Sequence, residues 1–550
     1  MTGLAAGALT TTPLLGVFAV GWLVGIPFVP YTVFEWLIRV LPGSVVNFGL
    51  DLTLRVLAGL GLDIKDTAKT AEQVLAVASL FLAGLLIGLI FFGVVRSNNR
   101  RRVAGYGLAV GVVVGAFSTA VTWTQNQPSG WAGKLGFAVW TVVLFALWGW
   151  AMGRLRLFAY GADEAVPVTD TGLSEQTIAH PAGAESPPAE VAAPAVSARA
   201  MSRRRFLIDV GGLAATIVVV GAGVAAVLRA EAAGPDDTPA TSATLADNDS
   251  TVVPAPGTRP EVTAVADHFR IDIDLTVPVI DEASWRLVID GAVERPLSLS
   301  LDELRSRFER VDRYVTLSCI DNPVGGPFID TTLWSGTPLR DVLAEAGPLA
   351  DARYAHIYSE DGFDEQVELA LVQSDPRIML AYAWNNEPLP AKHGFPLRVL
   401  VPGRYGMTQP KWITRISLLS DSIPGYWVSR GWDEIAAVQT TSVIDTVAIK
   451  SAFTRDGVTY VPIGGIAYSG AKGISRVEIL IDDGPWQAAT LREPLSDLTW
   501  VLWRYDYAFT PGRHTLAVRC YDGEGRLQEA ESRGASPSGA TGLFDEYRDF

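Results

Sequence analysis

Cysteine and histidine are scarce in this chain, and their scarcity removes several kinds of protein. Two cysteines, Cys319 and Cys520, stand about two hundred residues apart. That spacing gives neither a disulfide framework nor a Cys-x-x-Cys metal site. The five histidines are His180, His268, His356, His393 and His514. None lies in the four long apolar runs near the N-terminus, so a haem held by two histidines within them is not expected. Positive charge is also short. Lys and Arg number 44 against 59 Asp and Glu, a net charge of -15, so no basic face for a nucleic-acid partner is expected.

Apolar residues, by contrast, are abundant and unevenly placed. They make up 49% of a 550-residue chain with a mean hydropathy of +0.24, and the surplus sits almost entirely before residue 230. Four runs, near 14–38, 72–95, 103–123 and 134–153, are long enough to cross a bilayer as helices, which takes about 20 residues. The first contains Pro27 and Pro30 and is expected to be kinked or broken. A fifth run, Phe206 to Leu228, follows Ser202-Arg203-Arg204-Arg205. Any one run could be a buried core helix, but five stand together with arginines at their ends.

Those arginines orient the chain. Arg96, Arg100, Arg101 and Arg102 crowd one short connection, and Arg154 and Arg156 follow the fourth run. Positive residues stay in the cytoplasm. The N-terminus is then cytoplasmic, the fifth run exits, and everything after about residue 230 lies outside the cell membrane. Only Glu35 is acidic well inside a run, with Arg39 four residues on. Such apolar spans suit an anchor or docking platform better than a transporter.

The expected organisation is a four-span region over 1–160, a disordered cytoplasmic linker over 161–200, and a twin-arginine-like motif with a fifth helix over 201–230. An extracytoplasmic linker over 231–262 then leads to an α+β domain at 263–436, an all-β immunoglobulin-like sandwich at 437–532 and a tail at 533–550. In the α+β part, 285–291 and 314–319 read as strands. Leu301–Phe308 and Pro338–Ala346 read as helices, the second capped by Thr337 and stopped by Gly347. In the sandwich, 476–491 reads as a hairpin turning at Asp483-Gly484, and 500–522 as strand pattern broken at Pro511-Gly512.

Two segments could carry chemistry. Cys319 ends a predicted strand and precedes Ile320-Asp321-Asn322-Pro323-Val324-Gly325-Gly326. A cysteine at such a junction can present its sulfur to a ligand that comes close to the backbone, though a lone cysteine is also often a plain core residue. The second segment runs from His393 to Trp412 and holds His393, Arg398, Arg404 and Lys411 among glycines and prolines. A basic loop of this kind is often only a solvated surface. Arg398, however, opens the apolar strand Leu397–Pro402, where an unpaired charge would be costly and an anion would relieve it.

These segments resemble the sulfite oxidase family of molybdopterin-dependent oxidoreductases, in a membrane-anchored bacterial form. The likeness rests on TLSCIDNPVGG (316–326), TTLWSGTPLRDVL (331–343) and NNEPLPAKHGFPLRVLVPGRYGMTQPKW (385–412), with HFRIDIDLTVPVID (268–281) as opening segment. Residues 440–530 resemble the family's immunoglobulin-like dimerisation domain. The resemblance implies Cys319 as ligand to molybdenum. It implies His393, Arg398, Gln409, Pro410 and Lys411 as contacts of the molybdopterin, with Ser359 and Asn322 as further contacts. It also implies two-electron oxygen-atom transfer on a small sulfite- or sulfoxide-like substrate, an external electron carrier and a homodimer. A twin-arginine signal fits, because that pathway exports domains already folded around a cofactor.

Two departures are visible. The family's anion-pocket arginine shortly after the cysteine is replaced by Pro323-Val324-Gly325, and the place of its catalytic tyrosine is taken by Trp432. Arg270 and Arg430 could still lend positive charge, with Arg270 and Trp432 expected at the reaction centre. The competing reading is a non-catalytic, membrane-tethered binding or scaffolding protein that keeps the fold.

Overall fold

The computed structural model describes residues 2–59, 64–96, 99–124, 131–160 and 251–549. The linker 161–200, the arginine motif at 202–205, the fifth apolar run and residues 231–250 lie outside the described residues. Two compact units form. One takes residues up to 37 with those from 73 to 160, and the other takes 38–72 with 251–549.

The first unit is helical. Its helices are α1 (Gly3–Leu23), the start of α2 (Val29–Val40), most of α4 (Ile64–Val94), α5 (Arg100–Thr124) and α6 (Trp131–Tyr160). Four segments, Gly3–Leu23, Lys69–Val94, Arg101–Thr124 and Ala132–Leu157, are long and apolar enough to cross a membrane. This corrects the first span. It begins at Gly3 and ends before Pro27, not at 14–38, and it carries Pro13 inside. Thr10 and Thr12 hide their hydroxyls by donating to the carbonyls of Ala6 and Ala8, at 2.9 and 2.8 Å. Threonines that read as polar in the sequence therefore behave as apolar in the helix. Gly107 and Gly111 on α5 bring their backbone against Gly149 and Phe145 of α6, the small-residue contact expected of packed membrane helices.

The second unit begins with the end of α2 and α3 (Gly43–Gly59) and continues with the chain from residue 251. A five-stranded sheet has the order β2-β1-β10-β5-β6. It comprises β1 (Leu287–Gly291), β2 (Leu297–Leu299), β5 (Tyr354–Ser359), β6 (Asp364–Glu368) and β10 (Ile413–Leu419). A second sheet runs β3-β4-β7-β8, with β9 on β7. Its strands are β3 (Val311–Ser318), β4 (Ile329–Pro338), β7 (Met379–Trp384), β8 (Glu387–Pro388) and β9 (Arg398–Leu400).

Helices α7 (Leu301–Arg307), α8 (Leu339–Ala346) and α9 (Leu369–Ser374) complete this domain. Leu287, Ile289, Leu304, Leu343, Val367, Val399 and Ile416 meet in one core built from both sheets and the helices. Helix α7 starts on a reciprocal capping box, Ser300 with Glu303. Helix α8 stops at Gly347 in the left-handed region, φ 70°. Its N-cap is Pro338, not Thr337, because β4 runs on through Thr337 and leaves no turn there.

The C-terminal sandwich pairs β11 (Thr441–Val447), β12 (Phe453–Arg455), β13 (Val458–Tyr468), β16 (Thr490–Leu491) and β17 (Val501–Ala508) in one sheet. The other holds β14 (Ile474–Ile481), β15 (Gln487–Ala488), β18 (Arg513–Asp522) and β19 (Phe544–Asp549). Ile463 and Trp503 of one sheet pack against Val477, Ile479, Val518 and Cys520 of the other. The 476–491 hairpin forms, but Asp482, φ 54°, takes the left-handed position in its turn. Residues 533–550, expected as a tail, instead supply β19, which pairs with β18 from Arg513↔Asp549 to Val518↔Phe544. The end of the expected linker is packed as well. Glu261 pairs with Arg492 at 3.0 Å and Arg259 with Asp445 at 2.6 Å.

Candidate active site around Cys319

Cys319 follows β3 directly, and its position is set by backbone. Its N–H donates to the Phe328 carbonyl at 2.9 Å, and Asn322 Oδ1 accepts from Phe328 N at 2.9 Å. The loop 319–328 is thus closed on itself, with Gly325 at φ 79° turning it. Asn322 works inside this loop and lies outside the residues lining the Cys319 cavity. Burial, reinforced by Asp321, pushes the Cys319 thiol up to about 12. The free thiol is therefore neutral, and a bound cation is what would draw off its proton.

The second wall comes from residues 391–412. His393 sits in a short 3-10 turn that ends at Gly394, φ 115°. A Cβ on Gly394 would press on Lys411 Cβ at 3.1 Å and Arg398 Cβ at 3.3 Å, so glycine lets these two cationic side chains converge. Arg398 begins β9, opposite Ala381 of β7. Its guanidinium lies 4.8 Å from the Trp334 ring centroid and donates from Nη1 to the His393 carbonyl at 3.1 Å.

Arg398 is 5% exposed, and its Nε has no partner. Burial draws its pKa down to about 9. His393 Nε2 and Ser359 Oγ are likewise buried without partners. Burial first, then the neighbouring His268, holds the His393 imidazole well below its ordinary range. Its ring packs 4.6 Å from Trp384 and 5.4 Å from His268.

The cavity gathers seven of the ten expected site residues: Cys319, His393, Arg398, Gln409, Pro410, Lys411 and Trp432. Gln409 is already engaged, donating to the Arg404 carbonyl at 2.9 Å and accepting from Val401 N at 3.3 Å. Its amide holds the loop. Trp432 is 6% exposed and packs 6.3 Å from Trp427 beside Ile320 and Met407. Ser359 at the end of β5 and Arg270 lie outside the lining.

Arg270 instead meets Asp272 at 2.8 Å, and Asp272 also receives Lys411 and Lys69, each at 3.0 Å. Burial works to raise the Asp272 carboxyl, but Arg270, Lys411 and Lys69 hold it well below the usual carboxylate range. Burial draws Lys411 down to about 8, with Asp272 pulling the other way.

Sequence reasoning missed the acids of this site and their partners. Asp272, Asp274 and Asp361, with Arg39, Lys69, Glu72 and Thr53, surround or line the cavity. One signal was available. Arg270, Asp272 and Asp274 alternate with Ile271 and Ile273 in an otherwise apolar stretch, so charges were being buried there against something distant.

The donor set suits a cofactor that brings most of a metal's ligands with it. Among the described residues no three His, Cys, Asp or Glu side chains group to hold a metal ion. A single thiolate cannot retain one alone. The unpartnered Arg398 Nε, His393 Nε2 and Ser359 Oγ are buried donors and acceptors of the kind a polar, anionic ligand satisfies.

Comparison with known proteins agrees. Residues 274–427 match the family model described as the oxidoreductase molybdopterin binding domain. The chain is 32% identical to mitochondrial sulfite oxidase of Homo sapiens over 290 residues, which is 45% of this chain and 53% of that protein. It is 28% identical to the NAD(P)H nitrate reductase of Hordeum vulgare over 306 residues, 45% of this chain and 34% of that one. The structure of the sulfane dehydrogenase SoxCD from Paracoccus pantotrophus aligns with a TM-score of 0.43 and 21% identity, over 50% of this chain and 78% of that one. The chain spans about half the length of the sulfite oxidase it matches. The match to the molybdopterin binding domain thus falls on the central domain, and among the described residues four helices before it are long and apolar enough to cross a membrane.

Proposed function

We propose that this protein is a membrane-anchored extracytoplasmic oxidoreductase. It would carry out two-electron oxygen-atom transfer on a small sulfite- or sulfoxide-like substrate and exchange electrons with an external carrier. The observation that carries the reading is Arg398, a buried guanidinium with an unpartnered Nε, on the cavity that also holds Cys319 and His393. A buried cation without a carboxylate is unfavourable unless an anion joins it. The molybdenum cofactor, when bound, supplies the redox chemistry.

This chain's residues would do the rest. Cys319 would be the metal's protein ligand, while Arg398, His393 and Lys411 would bind the cofactor's polar groups. Ser359 would be a further contact, and Asn322 and Gln409 would hold their loops in shape. Trp432 and Trp427 would keep water from the reacting side.

The orientation has support of its own. Arg39 near the end of α2 and Lys69 near the start of α4 bracket the connection between these helices, and they pair with Asp274 and Asp272 of the central domain at 2.7 and 3.0 Å. That connection and the domain then share one side of the membrane. Three spans, α4 to α6, separate them, and an odd number of crossings ends on the other side. One more crossing within 161–250 restores the match, and Phe206–Leu228 is the apolar run that could make it. The arginine flanks then put the domain outside. Homodimerisation through the sandwich remains part of the proposal.

Elemental analysis of the purified full chain, wild type beside Cys319→Ser, tests the reading. Near-stoichiometric molybdenum in wild type, with loss of metal or of its thiolate spectroscopic signature in the variant, supports it. Absence of molybdenum and pterin from a host that makes the cofactor overturns it and favours a tethered binding module.

A further inference from the structure

Helix α3 turns a row of large apolar side chains outward. Val45, Phe48, Leu52 and Val56 are between 49% and 68% exposed. Their spacing of three, four and four residues puts them on one face of the helix. Fully burying one such side chain is worth about 1.5–3 kcal/mol, so leaving four of them bare is unfavourable. Single apolar residues scattered over a surface need no explanation, but a row along one helix calls for something that covers it.

Another face of α3 is held by the central domain. Val46 is buried, and Thr53 is among the residues lining the Cys319 cavity. Gly43 meets the Arg430 backbone too closely for a side chain. Both flanks of the helix are fastened to the same domain. Before it, Arg39 pairs with Asp274 at 2.7 Å, and its carbonyl accepts from Arg430 Nη2 at 3.1 Å. After it, Lys69 pairs with Asp272 at 3.0 Å. That carboxylate is buried, and losing the lysine would weaken its compensation. The row cannot turn inward while these ties hold.

The chain on either side says what covers the row. Helix α3 stands between two helices long and apolar enough to cross a membrane, Gly3–Leu23 and Lys69–Val94. Lys69 is both the first residue of the second and the partner of Asp272, which ties the domain to the point where the chain enters the bilayer. Five residues lead from Gly59 to Ile64, where α4 begins, a reach of about 17 Å at most. Five more helical residues, about 7.5 Å, lead to Lys69. The end of α3 therefore lies within about 25 Å of the entry point, about its own length. A second copy or a soluble partner would have to reach this face beside the bilayer, whereas lipid is already there.

We propose that α3 is an in-plane membrane helix, with Val45, Phe48, Leu52 and Val56 seated among lipid acyl chains at the bilayer surface and another face carrying the central domain. A helix of this kind sinks its apolar face about 5–10 Å into the boundary between headgroups and acyl chains. Thr53 lies within one helix diameter of the row, about 10–12 Å, so the Cys319 cavity is held at the membrane surface. The inference rests on the membrane-anchored part of the reading above and not on its chemistry.

Electron paramagnetic resonance of single nitroxide labels tests this on the full chain in nanodiscs of phosphatidylcholine and phosphatidylglycerol. Labels go on Phe48→Cys and Leu52→Cys, each in Cys319→Ser/Cys520→Ala protein so that one thiol reacts. If that background misfolds, Cys520 is left in place, because its fully buried thiol does not take the label. Leu86→Cys, outward-facing in the Lys69–Val94 span, is the lipid reference, and the fully exposed Val279→Cys is the water reference. The relaxing agents are oxygen, which concentrates among acyl chains, and a neutral water-soluble nickel chelate. The oxygen-to-nickel accessibility ratio at Phe48 and Leu52 is expected to lie severalfold above that at Val279, toward that at Leu86. Adding Leu52→Asp/Val56→Asp to the chain labelled at position 48 should lower its ratio toward the water reference.

Ratios at both α3 labels equal to that at Val279 overturn the proposal, because the row then faces water. Shielding from both agents overturns it too, because protein, a second copy included, then covers the row. The Leu86 label separates the two readings. Lipid at Leu86 with water at Phe48 and Leu52 removes the in-plane helix alone, and water at Leu86 removes the membrane anchor with it.

Discussion

The buried arginine of the Cys319 cavity and the buried arginine of the C-terminal sandwich are compensated in opposite ways. In the sandwich unit, Arg492 is 6% exposed and matched by Glu261 at 3.0 Å, and its guanidinium also donates to the Val252 carbonyl at 3.0 Å. In the central domain, Arg398 is as deeply buried but has only a carbonyl and an aromatic face for company. The two cysteines repeat the contrast. Cys520 is fully buried and its sulfur lies 3.4 Å from the Thr441 carbonyl and from Gln528 Oε1. Cys319 stands partly open on a cavity wall. Satisfied polar groups hold a fold together, whereas unsatisfied ones mark where a ligand completes it.

The comparison can be broken by substitution. The largest effect is expected from Cys319→Ser, which should abolish thiolate ligation and activity with little change in folding, read by metal analysis and circular dichroism. Arg492→Met should cost about 3–5 kcal/mol, because it strands Glu261, while molybdenum per folded molecule stays constant. Denaturant titration beside metal analysis checks both halves.

Arg398→Met should reverse that pattern. Cofactor-free protein should gain about 1–3 kcal/mol from losing an uncompensated charge, while cofactor retention falls by about tenfold or more. An Arg398→Met protein that is both less stable and fully loaded would end the contrast. Cys520→Ala should cost about 1–2 kcal/mol from a small buried void and leave the metal untouched.

The smallest effect concerns pH. Burial, then the neighbouring Asp274, pushes the Asp361 carboxyl up to about 7. Its protonated form is favoured in the fold, so its contribution is greatest at low pH and is lost as pH rises toward 7. Asp361→Asn stays neutral throughout. Its stability relative to wild type should therefore improve by about 1–2 kcal/mol between pH 5 and pH 8. A pH-independent difference would place Asp361 in the open.

Much of the fold was legible because its signals are local. Ser300 with Glu303, Gly347 after α8, and the apolar alternation of β17 and β18 each act within a few residues. The first span was misplaced for an equally local reason, since threonines that satisfy themselves along a helix look polar on the page. The C-terminal strand was missed because β19 has no apolar alternation, and only pairing with β18 makes Phe544–Asp549 a strand.

The site divides the same way. Cys319 and the 393–412 loop were readable as a cysteine at a strand end and as cations among glycines, residue types that carry their chemistry wherever they stand. Arg39, Lys69 and Glu72 were not, although a lysine beside an apolar helix is plainly visible in the sequence. By itself the sequence determined the long apolar helices, the helical-then-β order of the chain, the cysteine at a strand end and the basic loop, since composition and short-range periodicity suffice for these. Only the tertiary structure decided that Arg39 of α2 and Lys69 of α4 meet Asp274 and Asp272 some two hundred residues later. Ion pairs of that separation are specified by packing, and packing leaves no mark within either segment alone.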